Sequence, residues 1–443
     1  MNFYDLKPTN EKVFDTFYNN IVGRNAIVAK FVELLSSINT SCSIALDGNW
    51  GCGKTFFVKQ VQMVMDALNG MLPPEINNNE NNIKGIYERL TNKYKFQKPT
   101  NKQLCIYFDA WKNDASEEPI LALIYEIIKQ YPQTLPESKT VKEKALESFK
   151  ELVKNISIQF SFAGFSIGSG NFLKFWEEHE NDFLKNIESQ ENIRQSVDNV
   201  FKDLRETTGV NQLVIFIDEL DRCCPTFALK LLERVKHYFD HKYITFVFST
   251  NMKELCKTVK TYYGAEFDAE RYLDKFFDLR LQLPPVEIEN YIKSLPYNKD
   301  LGYLPSIFSR VAEFCGIEMR EIARAIKIYE IAANQYYGLW GDFQSKQYIL
   351  PLLIGLRMTD KQKYEDFING KAPQLFEEFM NDAACLDFFN NRIYSKEKCD
   401  EFYNAALAND DNRKVFRDCL SLLSKLSDYG IPKSDETRLP EIK

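Results

Sequence analysis

The stretch Gly48-Asn49-Trp50-Gly51-Cys52-Gly53-Lys54-Thr55 decides the fold. It fits G-x-x-x-x-G-K-[ST], a loop that wraps the phosphates of a nucleotide. Glycines let the chain curl until successive N–H groups point inward at anionic oxygens. Lys54 is placed to reach the β- and γ-phosphates, and the Thr55 hydroxyl to ligate Mg²⁺. Taken alone, the same residues also describe a glycine turn between two elements. Their flanks favour the phosphate loop. Ser43–Asp47 reads as a short buried strand, and Phe56–Val61 reads as a helix whose N-terminus attracts anions. Gly48, Asn49, Trp50, Gly51, Cys52, Gly53, Lys54, Thr55 and Phe56 are therefore the expected nucleotide-binding residues.

A second stretch answers the first. Gln212-Leu213-Val214-Ile215-Phe216-Ile217 runs into Asp218-Glu219. A continuous apolar run suits a strand covered on both faces of a parallel sheet, with its end where α/β proteins bind ligands. Asp218 is expected to hold Mg²⁺ with Thr55, and Glu219 to orient and deprotonate the attacking water. An acid pair in a solvated loop is the plainer reading of these residues in isolation. Arg222 admits two readings, a contact to phosphate or to a neighbouring subunit, and a local ion pair with Asp221 or Glu219. Asp221 either raises the pKa of Glu219 by like charge or pairs with Arg222.

Further strands are predicted at Leu104–Trp111, Ile244–Asn251 and Asp278–Leu283, the last closed by Pro284-Pro285. Helices are predicted at Ala26–Ser36, Glu118–Gln130 and near Phe227–Phe239, with an Asn-rich loop at Asn77–Asn82. The stretch from about 135 to 209 carries no phosphate-loop landmark. It reads as a helical insertion around a period-two, Phe-rich segment at Ile156–Phe172. No strand is convincing after Val286. The expected fold is α/β: a mostly parallel five-stranded sheet in a nucleotide domain, 1–285, followed by an all-helical domain, 286–443, whose tail after Ser427 reads as frayed.

The chain has 443 residues and a net charge of −7, which disfavours non-specific nucleic-acid binding and a DNA-translocating motor. Its ten cysteines form no C-x-x-C pair and only three histidines are present, which argues against a zinc site and a disulfide framework. Cys52, Cys223 and Cys224 read as free thiols. No secretory signal is evident, and no apolar run reaches the roughly 18 residues of a membrane span. These features predict a cytoplasmic protein.

The residues also resemble a known family. Gly48-x-Trp50-Gly51-x-Gly53-Lys54-Thr55 is similar to the G-x-W-G-x-G-K-[ST] loop of KAP P-loop NTPases. Tyr107-Phe108-Asp109-Ala110-Trp111 resembles their F-[ND]-A-W signature, and Ile217–Cys223 with Pro225 resembles I-D-[DE]-L-D-R-C-x-P. Tyr272–Phe277 leading to Pro285 resembles Y-L-[ED]-K-[IF] and L-P, and Met319–Ile322 a later-helix arginine element whose proline is Met319 here. Many family members carry membrane helices between the nucleotide motifs, where this chain is charged. The family's acidic residue after the fourth strand is replaced by Ser249-Thr250-Asn251, and Asn251 is read as a polar sensor of the γ-phosphate.

The resemblance implies ATP hydrolysis with Mg²⁺, coupled to assembly or signalling, and for some soluble members a role in excluding or sensing phage. ATP is preferred to GTP because no N-K-x-D follows a strand. Self-association and a protein effector are the expected partners. Arg320 is the expected γ-phosphate sensor, with Arg271 and Arg324 as further choices; for each, a surface ion pair is the plainer reading. Gly23-Arg24 is expected near the adenine. A non-catalytic ATP-gated scaffold is the alternative function.

Overall fold

Five strands carry the apolar runs: β1 (Cys42–Asp47), β2 (Gln103–Asp109), β3 (Gln212–Asp218), β4 (Ile244–Thr250) and β5 (Leu279–Gln282). They form one sheet in the order β2-β3-β4-β1-β5, and every pair is parallel. The expected mostly parallel sheet is thus parallel throughout. Side chains alternate between its faces. Ile215 and Ile217 join one apolar cluster with Phe246, Phe248, Leu123 and Leu231. Val214 and Phe216 join the other with Val247, Ile44, Phe57 and Val61. A sheet buried on both faces needs no polar alternation, which is why β3 reads as an unbroken hydrophobic run.

The computed structural model describes residues 7–70, 72, 80–97, 99, 101–116, 118–130, 194–195, 197–199, 201–202, 205–206, 209–238, 243–295, 304–335, 350–372 and 374–381. Most of the expected insertion, including Ile156–Phe172, lies outside the described residues, as does the tail after Ser427.

The described residues divide into two units, Lys7–Val286 and those from Glu287 onward. In the first unit, helices Asn25–Ser37, Lys54–Asn69 and Glu80–Tyr94 pack together. Pro119–Gln130 packs against Pro225–Tyr238, which in turn packs against Met252–Tyr263.

Three local expectations need correction. The Glu80–Tyr94 helix begins inside the Asn77–Asn82 segment, because Ile86 and Leu90 bury one helical face. The second strand ends at Asp109 rather than Trp111. Ala110 takes a helical conformation, and Trp111–Asn113 forms a single 3₁₀ turn. The fourth strand stops at Thr250, because Asn251 caps the Met252–Tyr263 helix, its Oδ1 accepting from Glu254 N at 3.3 Å.

From Glu287 on, every described element is a helix. Leu350–Thr359 is buried from Leu350 to Leu356, as expected for a central helix. Leu304–Cys315 and Met319–Gln335 pack against it, and Phe308 meets Tyr329 edge-on at 5.6 Å.

Candidate functional site: a phosphate loop facing an acid pair

The site lies at the C-terminal ends of β1, β3 and β4. Gly48 N donates to Thr250 O at 3.2 Å, extending the β1–β4 ladder into the loop. A Cβ on Gly48 would stand 2.7 Å from Cys52 Sγ, so any larger residue there would force the Cys52 side chain to move. Gly53 enters the Lys54–Asn69 helix with φ of 87°, a conformation that side chains resist. Lys54 is buried, and its Nζ donates to the loop carbonyls of Gly48 at 2.6 Å and Asn49 at 3.2 Å.

The first acid closes on the loop. Thr55 Oγ1 donates to Asp218 Oδ2 at 2.6 Å. The Tyr107 hydroxyl donates to the same oxygen at 3.0 Å. Asp218 is 1% exposed, and its other oxygen, Oδ1, is buried without a hydrogen-bond partner. Burial raises the Asp218 pKa, opposed by the Thr55, Ser249 and Tyr107 hydroxyls and by Lys54. A buried, unpaired carboxylate oxygen beside a hydroxyl is a set of hard oxygen donors, and it fits Mg²⁺. Thr55 and Asp218 are the residues that would hold the ion.

The second acid is held differently. Among the described residues Glu219 is one of the few non-glycine residues with positive φ, 62°. This turns the chain sharply off β3 into the 3₁₀ turn Leu220–Arg222. Its carboxylate pairs with the Arg222 guanidinium. Burial, and then the neighbouring Asp218 charge, push the Glu219 pKa up to about 7; Arg222 pulls the other way, and Asp221 adds to the rise. Of the two readings of Arg222, the structure has the local pair, made with Glu219.

Asp221 has a role that its position in the sequence does not announce. It is buried, and accepts from the Trp50 indole Nε1 at 2.5 Å and from Thr250 Oγ1 at 3.1 Å. The tryptophan of the phosphate loop is therefore tied to the acid turn and to the end of β4. Arg24 supplies another tie. Its buried guanidinium donates to Cys52 O at 2.8 Å and to Pro284 O, joining the loop to the segment after β5. Burial lowers its pKa to about 10.

Asn251 is buried at the end of β4, with its Oδ1 engaged in the helix cap. Arg320 belongs to the helical unit, where its side chain pairs with Glu318 at 2.8 Å. Arg271 and Arg324 are exposed. Tyr107 is the site residue that sequence reasoning passed over. Its one signal is that, in a strand, it shares a face with Asp109, two residues on.

Among the described residues no helix is long and apolar enough to cross a membrane. An uncharacterized protein of Methanocaldococcus jannaschii is similar, at 27% identity over 171 residues, covering 31% of this chain and 86% of that protein. Residues 24–327 match the KAP family P-loop domain, a span that holds the phosphate loop, the acid pair and all five strands. This chain belongs to the KAP family of P-loop NTPases, which implies that it binds and hydrolyses a nucleoside triphosphate.

Proposed function

We propose that the protein hydrolyses ATP with Mg²⁺ and uses the cycle as a conformational or assembly switch. The observation that carries this reading is the gathering of Lys54, Thr55, Asp218 and Glu219 at the C-terminal ends of β1 and β3. In this reading Lys54 and the loop amides bind phosphate oxygens, and Thr55 and Asp218 hold the metal. Mg²⁺ held there would supply charge stabilisation to the transferring phosphoryl group. Glu219 takes the proton of the attacking water. A carboxyl group raised to about 7 suits a proton acceptor working near neutral pH. Asn251, at the end of the neighbouring strand, is assigned to the γ-phosphate side of the site.

The test is Glu219→Gln. ATP should remain bound while turnover falls about 10²- to 10⁴-fold, the usual contribution of a positioned base. Calorimetry and phosphate release separate the two quantities. An unimpaired variant would remove Glu219 from the chemistry. A wild type with no turnover, alone or with candidate partners, would favour the ATP-gated scaffold, whose partner carries the activity.

The finer parts of the proposal are a cytoplasmic location and, resting on the family resemblance, self-association and signalling to an effector in phage defence. A switch requires that ATP and ADP prefer different conformations. Sizing chromatography of Glu219→Gln with each nucleotide tests that. Identical profiles would remove the assembly role.

A further inference from the structure

Arg222 and Trp111 are two residues beside the acid pair that the reaction described above does not use. Their placement follows from the sheet. Asp109 and Asp218 are register partners on β2 and β3, and Ala110 N donates to Asp218 O at 3.0 Å, carrying the ladder one residue past the strand. Ala110 is fully buried there, whereas Trp111 is turned outward and is 53% exposed. Glu219 breaks away from β3 in the left-handed conformation, and Arg222 N returns to Glu219 O at 3.1 Å. This short turn brings the Arg222 side chain back over the Glu219 carboxylate, with which it pairs. The guanidinium also lies over the Trp111 ring, its Cζ 5.4 Å from the centroid. Arg222 thus contacts both a carboxylate and an indole, contributed by two different strand ends.

We propose that Arg222, seated on Trp111, is the positioning residue that aims the Glu219 carboxylate. The proposal rests on the reading of Glu219 as the group that handles the attacking water. A planar guanidinium can bind a carboxylate edge and stack on an aromatic face at once, which an ammonium cannot do equally well. A glutamate at a sharp turn has three side-chain torsions to fix, and a small misplacement of a reacting group costs up to about a hundredfold in rate. Trp111 acts one step further out, by limiting where the guanidinium can lie. This gives a physical reason for an alanine followed by an outward tryptophan at the end of β2.

The experiment is a double-mutant cycle on Mg-ATP turnover. Arg222→Ala should lower kcat about ten- to a hundredfold, with KM held within about twofold, because the residue acts on aim rather than on nucleotide binding. Trp111→Ala should lower kcat about two- to fivefold, the size of an exposed cation–π contact, and Trp111→Phe should lose less. Arg222→Lys should fall between wild type and Arg222→Ala. The pair Glu219→Gln with Arg222→Ala should be no slower than Glu219→Gln alone. Multiplying losses, or a loss confined to KM, would overturn the positioning role while leaving Glu219 its own. A fully active Glu219→Gln would overturn the reading of Glu219 and the proposal with it. If Arg222→Ala does not fold, Arg222→Lys and Trp111→Ala put the same question through their own cycles with Glu219→Gln.

Discussion

The two ends of the central sheet both bury polar side chains, but they leave them in opposite states. At the N-terminal ends, Gln103 Nε2 donates to Gln212 Oε1 at 2.9 Å, and Gln212 Nε2 donates to Thr245 Oγ1 at 2.7 Å. Gln103 also donates to Leu35 O at 2.8 Å, and its Oε1 lies 3.4 Å from Ser36 Oγ. These groups satisfy one another across β2, β3 and β4. At the C-terminal ends, Asp218 keeps one oxygen without a partner, and burial raises the pKa of both Asp218 and Glu219. Burial of polar groups is common to both ends and is no marker of function. A closed network fixes strand register, since a slipped strand would strand its amides in an apolar core. An open one holds affinity in reserve for something else.

The largest effect expected from breaking this contrast, after the Glu219→Gln turnover loss, is at Lys54. Lys54→Ala should weaken Mg-ATP binding about ten- to a hundredfold, from loss of a charge-assisted contact worth about 1.5–3 kcal/mol. Calorimetry measures it, and equal affinity in the two proteins would remove Lys54 from the site. The matching change at the closed end is Gln212→Leu. It should leave ATP affinity unchanged and cost about 1–3 kcal/mol of stability, because Gln103 and Thr245 lose their partner in a buried position. Chemical denaturation reads this directly. A Gln212→Leu protein of full stability but weakened nucleotide affinity would erase the distinction between the two ends.

Much of the open end was legible in the sequence, because its chemistry demands particular residue types at adjacent positions. Gly48–Thr55 and Asp218-Glu219 announce themselves within a few residues, each beside a strand with an unmistakable apolar run. The contacts that fasten these pieces were not legible. Trp50 meets Asp221 across 171 positions, and Tyr107 meets Asp218 across 111. Nothing local in either sequence neighbourhood specifies the partner. The closed end was invisible for the same reason: Gln103 and Gln212 read as ordinary polar residues before a strand until parallel pairing sets them opposite each other. Polarity also misled at Asn77–Asn82, where the packing of Ile86 and Leu90 outweighs weak helix propensity in the preceding asparagines. One missed helix did carry a local sign, Asn251 followed three residues later by Glu254.

The smallest expected energy belongs to Arg320, and it asks which kind of polar group this arginine is. Its side chain is 47% exposed and paired with Glu318, two residues away. Exposed pairs of this sort contribute at most about 1 kcal/mol, so Arg320→Ala should scarcely alter stability. A small cost of breaking the pair also means that little opposes its exchange for a phosphate oxygen. If Arg320 senses the γ-phosphate, the variant should keep ADP affinity within about twofold. It should also lose the ATP-dependent change in shape or assembly, because a coupling of about 1–3 kcal/mol shifts a two-state population some 5- to 150-fold. Small-angle scattering on the Glu219→Gln background, with ATP and with ADP, makes the comparison without hydrolysis intervening. An Arg320→Ala protein that still responds to ATP like its parent would place Arg320 with Gln212, as a group satisfied by its own neighbour. The search would then move to Arg271 and Arg324, which are exposed and can be tested in the same background.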